Sequence, residues 1–384
     1  MIQSNNSVLH SIPSPCFVLE EARLEQNLAI FQRVQQQAPV KVLLALKAFA
    51  LFHGFPLIRQ TLPGASASSL WEAQLAAEEF GGDLHIYSPA YRHQDMDRIL
   101  NYADHLTFNS ISQWQRYYPL IQQLSTPPSV GLRINPQYSP VETALYNPCQ
   151  PYTRLGVSPE HLGNVLPLGI DGFLSHNLCE SDSYALEKTL LSIEEFFGQF
   201  LPQLQWLNLG GGHLMTRQGY DVEHAITVLR EFHQRYPHIQ LFMEPGAAIT
   251  WETGFLLSTV QDIIPTAELT NVMLDVSFTA HMPDCLEMPY QPVISGAHPP
   301  QPGEKIYRMG GSSCLAGDFM GDYAFSQQLS VGDRIIFEDM MHYTMVKTTM
   351  FNGVVHPSIG ILKKDGTFEM WREFSYPDYR ARLG

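Results

Sequence analysis

Between residues 42 and 246 the chain alternates short apolar runs of strand length with longer stretches of helical period, about eight times over. The runs are Val42–Lys47, a short one at 64–67, Asp83–Tyr87, His105–Phe108, Val130–Ile134, Ile170–Ser175, Trp206–Leu209 and Ile239–Met243. Amphipathic stretches near 53–62, 70–80, 94–102, 111–124, 159–166, 183–202 and 221–235 separate or follow them. Runs rich in Val and Leu with a charge only at one end read as strands of a parallel sheet covered on both faces. Eight such strands, most followed by a helix, predict an α/β fold built on a (β/α)8 TIM-like barrel rather than an open sheet. From about Thr253 the runs become short and β-branched with Gly and Pro punctuation, which predicts a second, β-rich C-terminal domain of sandwich or small-barrel type. The run Cys16–Leu19 reads as a strand that joins it. The expected division is 20–250 for the barrel, and 1–19 with 251–384 for the β-rich domain.

Lys+Arg 23 against Asp+Glu 38 gives a net charge of −15, spread along the chain rather than held in a tail. That argues against nucleic acid as a partner and accords with a small cationic substrate. The five cysteines are irregularly spaced with no C-x-x-C pair, so neither a metal site nor a disulfide framework is expected. Met1–Ser14 lacks a basic stretch followed by an apolar one, and no apolar run reaches membrane-spanning length. A cytoplasmic protein with no membrane partner is expected.

In a barrel of this kind the site lies at the C-terminal ends of the strands. Lys47 ends the first run and Glu72 follows the second; His176 ends the sixth, Gly210–Gly212 end the seventh, and Glu244 ends the eighth. Each has a plain structural reading. Lys47 could snorkel to water, Glu72 could complete a capping box with Ser69, and the three glycines could form only a tight turn. His176 could be a satisfied core histidine and Glu244 a strand terminator. The alternative reading is joint: a lysine that burial can neutralise, an anion-binding glycine loop, an acid for a ring nitrogen and a flat imidazole. Together these describe a site for pyridoxal 5′-phosphate, whose aldehyde needs an amine nucleophile and whose ring works as an electron sink while its nitrogen keeps a proton.

Further along, Arg154-Leu155-Gly156-Val157, Gly311-Ser312-Ser313-Cys314, Asp318, Tyr343-Thr344 and Phe351-Asn352-Gly353 complete an ordered set with Leu46-Lys47-Ala48, Ser68–Glu72, His176, Gly210–Gly212 and Glu244-Pro245-Gly246. Over nearly its whole length the chain resembles the fold-type III pyridoxal-phosphate decarboxylases, the group of eukaryotic ornithine and diaminopimelate decarboxylases. Within that group it is most similar to the branch acting on carboxynorspermidine or carboxyspermidine, through Ala67–Glu72, His281-Met282-Pro283-Asp284, Glu287-Met288-Pro289-Tyr290 and Cys314–Asp318. Two positions depart from the ornithine and diaminopimelate patterns. Ala247 stands where an arginine usually meets the phosphate, and Leu315 where an acid usually selects substrate.

The resemblance implies a set of roles. Lys47 would form the Schiff base, His176 would stack on the ring, Glu244 would pair with its nitrogen, and Cys314 would return a proton to the α-carbon after loss of CO2. Glu72, Gly210, Gly211, Gly212, Gly246 and Tyr343 would complete the cofactor site, with the phosphate resting on the glycine loop and Tyr343. A cationic carboxylated polyamine would be the substrate, met by Asp284, Glu287, Asp318 and Arg154, with Asp322 read as a solvated surface acid. A homodimer with shared active sites is implied, the Cys314–Asp318 loop reaching the neighbouring subunit. A diaminopimelate- or ornithine-type decarboxylase is the rival within the class, and a non-catalytic cofactor-binding relative the rival outside it.

Overall fold

The computed structural model describes residues 6–384, so residues 1–5 of the expected N-terminal contribution and of the stretch Met1–Ser14 lie outside the described residues. The chain divides into two compact units, Gln26–Ile249 and Thr250–Gly384 with the described residues up to Glu25. The first strand in the chain, β1 (Cys16–Glu20), belongs to the latter.

In the former, β2 (Val40–Ala45), β3 (Gly64–Ala67), β4 (Asp83–Tyr87), β5 (His105–Phe108), β6 (Ser129–Ile134), β7 (Gly172–Ser175), β8 (Trp206–Asn208) and β9 (Gln240–Met243) pair in parallel and close into a barrel. Closure is visible at β2, where Leu43 registers with Gly64 on one side and Val42 with Met243 on the other. Val42, Leu43, Leu44 and Leu46 are fully buried, as a strand covered on both faces must be. Helices Leu70–Leu75, Ile111–Ile121, Ser183–Phe197 and Val222–Arg235 start at Ser69, Ser110, Asp182 and Asp221, whose side chains each accept an amide of the first turn. The expected helix at 53–62 is shorter, a 3-10 turn at Phe52–Gly54 running into Phe55–Ile58, because Pro56 fits a first turn and little apolar periodicity follows it.

The barrel lumen is packed with rings. Trp206 lies across two strands that carry glycine beneath it: a Cβ at Gly172 would fall 2.0 Å, and one at Gly131 2.3 Å, from its indole. Leu43 and Phe242 pack with the indole, and His85 and His105 stack face to face beside it with centroids 3.9 Å apart. Gly172→Ala should therefore overpack the lumen at a cost of about 1–3 kcal/mol. Thermal unfolding checks this, and an unchanged Tm would contradict it.

The other unit is a mixed sheet. Its remaining strands are β10 (Gly254–Pro265), β11 (Thr270–Leu274), β12 (Ala297–His298), β13 (Tyr307–Gly310), β14 (Phe319–Phe325), β15 (Arg334–Glu338), β16 (Ser358–Leu362) and β17 (Phe368–Arg372). They order as β12-β14-β13-β11-β10-β1-β16-β17, with β15 also on β10. β10 is the spine: its first half pairs with β1 and β15, its second half with β11, and the register shifts between Val260 and Asp262 where it changes partner. β1 lies between β10 and β16, so Cys16, Val18, Phe255 and Leu257 share a core with Ile12. Burial pushes the Cys16 thiol up to about 12, leaving it inert. Among the described residues no helix is long and apolar enough to cross a membrane.

Candidate active site

Lys47 stands in the turn just after β2 rather than ending the strand, and it is exposed. Gly246 makes the turn possible, since a Cβ there would lie 2.4 Å from that of Ala48. Lys47 Nζ lies 3.3 Å from His176 Nε2. The amide of Gly211 donates to His176 Nδ1 at 2.8 Å, which makes that nitrogen the acceptor and leaves the ring proton on Nε2. An Nε2–H can only donate, so the contact is satisfied when Lys47 offers a lone pair, as the free amine. The electrostatics agree. Lys47 is exposed, yet its surroundings lower its pKa, first by desolvation and then through the Arg133 guanidinium, against the pull of Glu244, Cys179 and Glu72. His176 lies well below its ordinary value, first through burial and then through the charges of Lys47 and Arg133.

Glu244 follows β9 and is half-buried. Asn208 Nδ2 donates to its Oε1 at 2.6 Å, while the Gly210 amide donates to Asn208 Oδ1 at 2.9 Å. Burial raises the Glu244 pKa; Asn208, Lys47, Ser66 and Arg133 pull it back toward the carboxylate. Glu72 is close enough to Lys47 to feel its charge, although burial still holds its pKa up. Its amide takes the Ser69 hydroxyl at 3.2 Å, and its Oε2 accepts from the Ser68 amide at 2.6 Å. The expected capping box thus forms with its return arm displaced by one residue, and the carboxylate faces Lys47 as well.

Gly210 and Gly212 adopt φ of 64° and 89°, and a Cβ at Gly210 would strike the His176 ring at 2.7 Å. The loop is glycine because the imidazole and the chain compete for the same space. Two of its three amides serve Asn208 and His176 directly. A free amine, a carboxylate and an adjacent neutral imidazole suit the aldehyde, ring nitrogen and ring face of pyridoxal 5′-phosphate, so these residues fit the cofactor. The Gly210 and Gly211 amides, expected to meet its phosphate, are instead taken by Asn208 and His176, and the loop offers it Cβ-free space.

The remaining expected residues fall into two clusters of the sheet unit. Asp318 is buried and accepts three amides, Phe278 at 2.7 Å, Thr279 at 3.2 Å and Ser313 at 3.0 Å, so its carboxylate shapes the loop that carries Cys314. The exposed Cys314 is anchored by its amide to Asn352 Oδ1 at 2.8 Å, from a backbone at φ 60°. Asp284 and Glu287 both hold Lys347, at 2.6 and 2.7 Å, and the Lys347 ammonium lies 5.6 Å over the Tyr343 ring. Burial would lower the Lys347 pKa, but the two carboxylates outweigh it and hold the ammonium. Asp322 is paired with Arg308 at 2.7 Å. In the barrel unit the Arg154 side chain is exposed and its charge reaches Tyr87.

Sequence reasoning missed Arg133, Asn208 and Lys347, and it named Asn352 only as part of the Phe351-Asn352-Gly353 motif, without its bond to the Cys314 amide. Arg133 is buried on β6, donating from Nη1 to the Tyr87 hydroxyl at 2.9 Å and from Nη2 to the His176 carbonyl at 2.8 Å. Its one available signal was a charge inside the apolar run Val130–Ile134.

A family model described as pyridoxal-dependent decarboxylase, C-terminal sheet domain, matches residues 17–341. The chain is 66% identical over 379 residues to the carboxyaminopropylagmatine decarboxylase of Synechocystis sp., covering 99% of this chain and 97% of that protein. It is 40% identical to the carboxynorspermidine/carboxyspermidine decarboxylase of Campylobacter jejuni, over 97% of this chain and 98% of that one. A crystal structure of carboxynorspermidine decarboxylase from Campylobacter jejuni, complexed with norspermidine, superposes with a TM-score of 0.89 at 38% identity, covering 97% of this chain and 100% of that chain.

Proposed function

Because the chain belongs to the pyridoxal-dependent decarboxylases, a pyridoxal-phosphate carboxy-lyase by family, we propose that it removes the α-carboxyl group of a carboxylated polyamine. Carboxynorspermidine and carboxyspermidine are the compounds of the first reading, giving norspermidine and spermidine. A second reading replaces the terminal amine with the guanidinium of carboxyaminopropylagmatine, on the strength of the 66% relative. All three share an amino-acid head and a cationic tail, so one site chemistry serves them. The observation that carries the reading is the Lys47 amine held in its free form by the His176 Nε2–H, with Glu244 in the same rim.

When bound, the cofactor supplies a ring that takes up the electron pair left behind by departing CO2. Lys47 would hold it covalently, His176 would cover one ring face, and Glu244 would keep a proton at the ring nitrogen. Glu72 would steady the rim, with Gly210, Gly211, Gly212, Gly246 and Tyr343 shaping the cofactor's seat. Cys314 would deliver the proton of its Sγ to the α-carbon. Arg154 would meet the substrate's anionic end, and Asp318 would keep the Cys314 loop in shape. Asp284 and Glu287 would take the cationic tail by exchanging the Lys347 ammonium for the substrate's. We further propose a cytoplasmic homodimer in which the Cys314 loop of each copy completes the site of the other.

Carbon dioxide release from purified enzyme tests this, using carboxynorspermidine, carboxyspermidine, carboxyaminopropylagmatine, diaminopimelate and ornithine. One of the first three should exceed the last two in kcat/KM by at least about 10²-fold. Preference for diaminopimelate or ornithine would overturn the substrate reading, and the order among the first three identifies the tail.

A further inference from the structure

His85 lies in the barrel lumen on β4, 4% exposed, where an apolar residue would pack as well. Its Nδ1 is 3.3 Å from Asn208 Nδ2, and its Nε2 is buried without a hydrogen-bond partner. A buried orphan of this kind calls for a reason. The contact to Asn208 gives the ring a reason through its other nitrogen, Nδ1. Asn208 Oδ1 is fixed as the acceptor of the Gly210 amide, so the Asn208 amide nitrogen must face Glu244 and His85 with one hydrogen for each. An amide nitrogen only donates, hence His85 Nδ1 must be unprotonated and the ring neutral. The stacked His105 ring and the Trp206 and Phe242 rings hold it in that plane.

We propose that His85 is a positioning residue for the reaction: its Nδ1 acceptor locks the Asn208 amide so that the other hydrogen points at Glu244 Oε1. This rests on the reading that Glu244 faces the cofactor's ring nitrogen. The charged and polar groups that also bear on Glu244 are Lys47, Ser66 and Arg133; those on His85 are His105 and Lys41. Without the His85 acceptor the Asn208 amide keeps only its Gly210 and Glu244 bonds, its hydrogen is less well directed at Glu244 Oε1, and the carboxylate takes up a proton at higher pH. The acidic limb of activity then moves upward.

The test compares His85→Met with His85→Gln in the holoenzyme. The two are similar in size, but only the Gln side chain carries an acceptor. His85→Met should shift the acidic limb of the kcat/KM profile up by about one pH unit and speed cofactor loss on dialysis about tenfold. His85→Gln should return both toward the parent. Asn208→Ala should reproduce the Met effects, and the Met/Ala double variant should add nothing further. Thermal unfolding of each variant separates these effects from a folding failure, and His85→Phe replaces His85→Met if the latter does not fold. Equal behaviour of the Met and Gln variants, whether silent or damaging, overturns the inference. Glu244→Ala is run alongside: if it is crippled while His85→Met is silent, only the His85 inference falls. If Glu244→Ala retains cofactor and profile, the reading of Glu244 falls with it.

Discussion

Lys47→Ala should abolish covalent cofactor attachment and lower decarboxylation by more than about 10³-fold, the scale lost when a covalent nucleophile is deleted. Borohydride reduction followed by peptide mass analysis should find the cofactor's mass on the peptide containing Lys47 in the parent, and on no lysine of the variant. Lys47→Arg separates charge from nucleophilicity. It keeps a cation near Glu244 and Glu72, but a guanidinium stays protonated and cannot attack a carbonyl. It should be as inactive as the alanine variant. Substantial activity in Lys47→Arg would mean that the rim needs only a positive charge, contrary to the free-amine geometry set by Gly211 and His176.

Arg133→Met should be the next most damaging. The guanidinium bonds the Tyr87 hydroxyl and the His176 carbonyl, so its loss frees the backbone on which the imidazole is hung. An ångström-scale misplacement of a reacting group costs about 10²-fold in rate, and kcat/KM should fall by that order. The pH response has a definite sign. Arg133 lowers the pKa of both Lys47 and Glu244, so without it both groups hold their protons to higher pH. Less free amine and less carboxylate are then present at neutrality, and the acidic limb of the profile moves upward. A profile superposable on the parent's would show that Arg133 acts through packing alone.

These two residues mark what could be read without coordinates. Lys47 was legible because a lone charge at the end of an apolar run stands out, and the regular strand–helix alternation put it on the same rim as His176 and Glu244. The fold was legible for the same reason: the alternation repeats, and it stops near Thr253. Arg133, Asn208 and His85 sit inside strands whose lumen-facing side chains meet only once the barrel closes. No spacing along the chain reports that β4, β6 and β8 share an interior. Asp284 and Glu287 illustrate the converse. Acidic residues suit a cationic substrate, but the sequence does not say that Lys347 already lies between them. Nor does the sequence say that the Asp318 carboxylate accepts three amides.

The stacked rings of the lumen also bear on traffic. With the Trp206 indole spread over Gly131 and Gly172, and Phe242, His85 and His105 filling the space beside it, nothing travels lengthwise through the barrel. Substrate, gas and product must share the one mouth at the strands' C-terminal ends. On the proposed reading carbon dioxide would be the first to go, past a tail still held in place, and the polyamine would clear the passage last. The enzyme's turnover is a queue at a single door.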